Sequence, residues 1–251
     1  MWGQTWAQVL QHRFAGDGDM RGHVTGNLLI VSLWEQLGDH VQALDWVGRL
    51  LGASGRVLPM ALTPLVMTAQ IRGVDPAAPD AVTTVRGQVE VATSDGVIQS
   101  VALEPADPSP CAEAVDAVRE ADWVVLGPGS WFTSVIPHLL VPELRQALVE
   151  TRGRVLVVLN LEPQDGETPG FDQADHLSAL LEHAPALQVH TVLADVRSVA
   201  HPEELDRVVS SSGASLVIAD IAAEGTTDRH DDNKLAAAFE SIMSGVPVLG
   251  D

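Results

Sequence analysis

Val124-Val125-Leu126-Gly127-Pro128-Gly129-Ser130-Trp131-Phe132-Thr133-Ser134 is the stretch from which the rest of the chain can be read. Its short apolar run has the length of a buried strand, Gly-Pro-Gly-Ser is a tight bend, and an apolar, helix-like segment follows at once. Such a layout directs the backbone N–H groups of a helix start out of the end of the strand. Those groups carry partial positive charge and lack intrahelical partners, so the bend suits a phosphate or another anion. Gly127, Gly129, Ser130, Thr133 and Ser134 are the candidate contacts, three of them hydroxyl-bearing.

Downstream of the bend the chain alternates helix and strand. Helices are expected over 112–121, 141–151, 171–183, 202–210 and 233–243, and apolar strands over 123–126, 154–159, 187–193 and 216–221. Strands that are apolar throughout, each followed by a helix, imply a parallel sheet covered on both faces. The fold class is therefore α/β, a Rossmann-like, doubly wound, mainly parallel sheet. Upstream, residues 26–51 read as two helices broken at Gly38-Asp39, the first almost continuously apolar from Leu28 to Leu33 and so expected to be buried on most sides. Between them, 55–105 reads as a small β-rich insertion with strands at 57–62, 65–69, 89–92 and 98–103. The expected organisation is one domain over 1–251, with a β-rich subdomain at 55–105 and a ligand-binding core at 111–251.

Composition narrows the function. At 251 residues with 46% hydrophobic content, the chain can bury a substantial core. A formal net charge of −20 repels nucleic acid and anionic membrane surfaces, which excludes both as expected partners. No apolar run is long enough to span a bilayer, the start lacks the pattern of a signal peptide, and Cys111 is the lone cysteine, so a cytoplasmic location is expected. Lys234 is the only lysine and tyrosine is absent, leaving cationic work to arginine and backbone amides.

In open α/β sheets ligands bind beyond the carboxyl ends of the strands. Those ends here carry the Gly-Pro-Gly-Ser bend, Asn160, Asp195 and Asp220. Asp195 and Asp220 read as caps or turn residues, whereas Asn160 reads equally as a cap and as a ligand contact. Further candidates are the His23-Val24-Thr25-Gly26-Asn27 cluster, the polar loop 164–170 as a lid, and Arg229-His230-Asp231, whose arginine would clamp an oxyanion at two points. Asp172, Asp175 and His176 have metal-compatible helical spacing but read as a solvated helix face, so no metal is assigned.

These residues resemble a known family. Gly26-Asn27-Leu28-Leu29, Gly55-Arg56-Val57-Leu58-Pro59, the run from Leu126 through Thr133-Ser134-Val135-Ile136-Pro137, Asn160-Leu161, Gly166-Glu167-Thr168, Ala174-Asp175-His176 and Arg229-His230-Asp231 look like the YvcK family of gluconeogenesis factors. That family lies within the wider CofD-like group of 2-phospho-L-lactate transferases. The resemblance runs in order from about Phe14 to about Ala238. It implies a regulatory protein that binds a UDP-sugar (UDP-N-acetylglucosamine among the candidates) and serves cell shape and growth on gluconeogenic carbon sources, with unidentified protein partners in cell-envelope control. Carried over by position, Asn27, Gly127, Gly129, Ser130, Thr133, Ser134, Asn160, Thr168 and Arg229 form the implied ligand set. The alternative is a phosphotransferase acting on a deazaflavin, which would require Mg2+. Family members usually open with a Gly-Gly-Gly-x-Gly turn and an Asp-Asp-Gly-Gly-Ser stretch, and neither precedes Phe14. The expectation is therefore that transferase activity is lost, nucleotide affinity is weakened, and an exposed sheet edge favours self-association, for example as a homodimer.

Overall fold

The computed structural model describes residues 2–162 and 171–245. The described residues divide into two compact units, one within 2–62 and 111–114, the other within 63–110, 115–162 and 171–245.

The first unit is helical: α1 (Trp2–Gln11), α2 (Thr25–Leu37) and α3 (His40–Leu51). Gly38 ends α2 in the left-handed conformation, with φ of 66°, and Asp39 starts α3 by accepting a hydrogen bond from the Gln42 N–H at 2.9 Å. That is the break expected at this pair. The expectation of an α2 buried on most sides is corrected, because none of its residues is buried. Three short helices enclose too little volume to surround one of their number. Helix α1 was not anticipated, although Trp2 and Trp6 stand one turn apart and their rings meet at 5.9 Å between centroids.

The second unit contains two sheets. A three-stranded antiparallel sheet is ordered β2-β1-β3, from β1 (Val66–Arg72), β2 (Val82–Arg86) and β3 (Val97–Glu104). Two expected strands of the β-rich insertion are not present. Residues 57–62 form no strand, and 89–92 lies in a short helix, α4 (Gln88–Ala92), introduced by Gly87 at φ of 110°. Only Val91 of α4 is buried, so the run Val89-Glu90-Val91 had the residue types of a strand without a neighbour to pair with. Strand β2 escaped notice because it is an exposed edge with little apolar content.

After α5 (Ala112–Glu120), the chain builds a four-stranded parallel sheet in the order β4-β5-β6-β7, from Trp123–Leu126, Arg154–Val158, Thr191–Asp195 and Ser215–Ala219. The connections carry a five-residue π-helical turn at Trp131–Val135, then α6 (Ile136–Leu140), α7 (Pro142–Glu150), α8 (Gln173–His183) and α9 (Pro202–Ser211), and α10 (Asp232–Ser244) follows β7. Alternate residues of the central strands go to opposite faces. Val155, Val157, Val192 and Ala194 join the large core with Leu177 and Leu180 of α8 and Leu205 of α9, while Leu156, Val158 and Leu193 join a second core with Ala238 of α10. This is the doubly wound α/β architecture the sequence implied. The large core also takes in Met67, Ile71 and Ile98 of the antiparallel sheet. Strand β6 begins four residues later than expected. Leu187 and Val189 are apolar because they are buried, at 5% and 4% exposure, and not because they pair.

Gly153, before β5, sits under backbone. A Cβ there would stand 2.2 Å from the Ala121 carbonyl oxygen and 3.1 Å from that of Asp122. Gly153→Ala should therefore destabilise the fold by about 1–3 kcal/mol, read as a lower urea midpoint at unchanged slope. A midpoint equal to that of the parent would show that the strand can move aside.

Candidate functional site

The carboxyl edge of the parallel sheet is built around one buried carboxylate. Asp195, at the end of β6, is 1% exposed. Its Oδ2 accepts hydrogen bonds from the Ile221 and Ala222 N–H groups at 2.8 and 2.9 Å, and its Oδ1 accepts one from the Arg197 N–H at 2.8 Å. The segment after β7 is thereby pinned to the end of β6. It then folds back on itself, with Ala222 bridging His230, Ala223 N–H bonded to the Arg229 carbonyl, and Asp231 N–H bonded to the Ile221 carbonyl. Asp231 next caps α10 by accepting from the Asn233 and Lys234 N–H groups, both at 3.0 Å. Asp220 receives Lys234 Nζ at 2.7 Å and Arg197 at 3.4 Å, and the Lys234 ammonium holds its carboxyl below the usual carboxylate range. Asp195 and Asp220 are thus organisers of turns, as their sequence context indicated.

At the ends of β4 and β5 the bend and Asn160 meet. Asn160, 7% exposed, accepts from the Gly129 N–H at 3.0 Å through Oδ1 and donates to the Gly129 carbonyl at 2.9 Å through Nδ2. This two-point clasp fixes the bend, and it narrows the expected donor cup, because the Gly129 N–H is already engaged. The Ser130 carbonyl accepts from the Ser134 and Val135 N–H groups at 2.8 and 3.0 Å, which opens the π-helical turn. The turn is π-helical and not the plain α-helical start the sequence suggested. It buries Trp131, Phe132, Thr133 and Val135 on the core side, leaves Ser134 exposed and keeps Ser130 half-buried. Neither Gly127 nor Gly129 has a positive φ. A Cβ on Gly127 would meet nothing within 4 Å, and one on Gly129 would make only ordinary contact with Ser134 at 3.8 Å. The protein itself does not require Gly127 to be bare.

A cavity of about 270 Å³ opens beside this clasp, lined among others by Pro128, Gly129, Asn160, Glu162, Asp228 and His230. His230 forms a hydrogen bond with the Leu159 backbone, and its Nε2 is buried without a partner. A second cavity of about 320 Å³ shares Leu161 and Glu162 with the first and continues past Gln173, Asp195, Arg197 and Thr226. The Thr226 hydroxyl is also buried without a partner. Of the expected site residues, Gly129 and Asn160 line the first cavity directly, and Ser130, Thr133 and Ser134 follow the same bend. Arg229 is exposed, while its neighbours Asp228 and His230 line the cavity. Sequence reasoning noticed this cluster and weighted the arginine for its charge. Asn27 lies in the first turn of α2, in the helical unit, where Thr25 bonds the His12 carbonyl at 3.3 Å. Thr168 and the expected lid at 164–170 lie outside the described residues.

Asp172 and Asp175 form a reciprocal capping box at the start of α8, with Asp172 accepting from the Ala174 and Asp175 N–H groups. His176 packs against Trp131 at 5.4 Å and Phe171 at 5.6 Å between centroids. The spacing that resembles a metal motif therefore serves the helix start and the core. Among the described residues no group of three or more His, Cys, Asp or Glu side chains is placed to hold a metal ion.

The comparisons with known proteins fit this architecture. The family model described as 2-phospho-L-lactate transferase CofD matches residues 2–233. The chain belongs to this family. Within the CofD family it is 47% identical over 245 residues to a Mycobacterium tuberculosis protein named "Putative gluconeogenesis factor", covering 96% of this chain and 71% of that one. It is 30% identical to the "Gluconeogenesis factor" of Listeria innocua over 246 residues, or 94% of this chain and 74% of the relative. A crystal structure of a UPF0052 family member from Bacillus halodurans superposes with a TM-score of 0.81 at 27% identity, covering 94% of this chain and 77% of the other.

Two outcomes follow. Asp195→Ala leaves three backbone N–H groups without their acceptor, so stability should fall by about 2–5 kcal/mol, measured by chemical denaturation. A loss below about 1 kcal/mol would show that Asp195 does not organise the edge. Burial pushes the imidazole pKa values of both His176 and His230 down, only partly opposed by nearby aspartates. The folded protein thus binds these protons less readily than the unfolded chain. Their contribution is complete above the unfolded imidazole value of about 6.5 and is lost as pH falls below it through the folded values. The melting midpoint should drop between about pH 6.5 and pH 5. A flat profile in that window would contradict the assignment.

Proposed function

We propose that this protein is a regulator that binds a UDP-type nucleotide sugar at the carboxyl edge of its parallel sheet without turning it over. In this reading it acts in the cytoplasm, linking the ligand to cell shape and to growth on gluconeogenic carbon sources through protein partners of the cell-envelope machinery. The observation that carries the reading is the unobstructed space above Gly127 beside a cavity lined by Gly129, Asn160 and His230. This is where doubly wound sheets bind nucleotides. The kinship to gluconeogenesis factors supports a regulatory role. Among the described residues no helix is long and apolar enough to cross a membrane. The ligand's anionic part would approach over Gly127 toward Ser130 and Ser134, with the exposed Arg229 available as a counter-charge.

The name of the matching family model favours a second reading, transfer of a phospholactyl-type group to a deazaflavin with Mg2+. Calorimetric titration with UDP-sugars, alongside a product assay with a deazaflavin acceptor and Mg2+, separates the two. The regulatory reading expects saturable binding and no product, so turnover would overturn it.

Gly127→Val tests the site itself. Since a Cβ added there meets nothing within 4 Å, the melting midpoint should stay within about 2–3 °C. Affinity for both UDP and UDP-sugar should fall at least about tenfold, as bulk replaces the approach of the phosphates. Undiminished binding would place the ligand elsewhere.

A further inference from the structure

We propose that Gln88 is a positioning residue of the ligand site: reaching out of α4 in the antiparallel insertion, it holds the Thr133–Ser134 peptide of the π-helical turn in the orientation that an anion meeting Ser130 and Ser134 requires. This rests on the nucleotide-sugar reading above and adds what sets the geometry of its phosphate-facing turn.

The backbone of the turn does not set that geometry alone. In an α-helix the Thr133 carbonyl would accept from the N–H four residues on, but that residue is Pro137, which has none. The wider bonds of the turn run from the Val135 N–H to the Ser130 carbonyl at 3.0 Å and from the Ile136 N–H to the Trp131 carbonyl. Gln88 supplies what Pro137 withholds. Its Nε2 donates to the Thr133 carbonyl at 2.9 Å, across 45 positions of sequence. Thr133 is 4% exposed, so water does not readily replace that donor.

The peptide plane carries the constraint to the site. The Thr133 carbonyl and the Ser134 N–H belong to one planar unit and point in opposite directions. A donor fixed on the oxygen therefore fixes the N–H, which bonds the Ser130 carbonyl at 2.8 Å. The next carbonyl, that of Ser134, lies 2.8 Å from His138 Nδ1. Side chains thus hold the carbonyls on both sides of Ser134, while the residue itself stays exposed. The anchor for Gln88 is firm. Helix α4 starts after Gly87, whose N–H bonds the Met67 carbonyl of β1 at 2.8 Å, and Val91 is buried in the same core as Trp131. Gln88 is exposed, so changing it leaves that core intact. Coupling of this kind is reciprocal: a ligand that needs the turn so held also tightens the segment that holds it.

The test is calorimetric titration of the full chain with UDP and with UDP-N-acetylglucosamine, for the parent, Gln88→Met and Gln88→Glu. Methionine keeps the length of the side chain and loses the donor, and an ionised glutamate keeps the shape but can only accept. Both variants should bind both ligands about three- to tenfold more weakly. A residue that only stabilised the fold would lower the denaturation midpoint and leave the affinity of the folded protein at the parent's value. That result would overturn the assignment. In the parent, amide hydrogen exchange over residues 82–92 should slow on saturation with UDP by about the same factor, a readout that does not depend on how well the variants fold. Unchanged exchange there would also overturn the assignment while leaving nucleotide binding intact. If neither UDP nor UDP-N-acetylglucosamine binds the parent, the nucleotide-sugar reading fails and this one with it.

Discussion

The geometry of the carboxyl edge depends on the buried carboxylate of Asp195. A charged group at 1% exposure persists because three backbone N–H groups, from Arg197, Ile221 and Ala222, point at its oxygens. Those bonds fix where the chain goes after β7. The hairpin-like return through Ala222 and Arg229 then delivers His230 to the Leu159 carbonyl, on the far side of β6 in the sheet order. One acid thus links the ends of β5, β6 and β7, and the cavity wall is a consequence of where that linkage leaves the imidazole.

Charge in this chain is organised against its own excess. Against a net charge of −20, Arg197 and Lys234 near the edge are used internally. The only lysine joins Asp220 to the Ala222 carbonyl, and Arg197 divides its contacts between Asp195 and Asp220. The clasp between Asn160 and Gly129 belongs to the same economy, since it satisfies a bend without adding charge.

The doubly wound core was legible because its signal is redundant. Val155 to Leu159 is apolar on both faces of the sheet, and the strand ends carry turn residues that no buried strand would keep. The antiparallel sheet was less legible. Strand β2 is mostly exposed, while α4 carries valines typical of strands. Propensity at such short elements is overridden by whichever neighbour is available, and the neighbour is not a local property. At the site, Asn160 and the Gly-Pro-Gly-Ser bend were recognised, since strand ends are defined by sequence. Arg229 was weighted for its charge, and the structure leaves it exposed beside the half-buried His230, because charge is visible in a sequence and burial is not.

The sequence by itself determined the alternation of strand and helix, the break at Gly38-Asp39 and the bend after β4, all of which follow from local spacing. Only the tertiary structure decided that Gly129 gives its N–H to Asn160, that Asp195 serves the backbone, and that His230 bonds the Leu159 backbone. Each of these is a pairing between residues from about 26 to more than 70 positions apart, or a burial that such pairings create. Hydrogen-bond satisfaction across that distance is settled only when the sheet has closed.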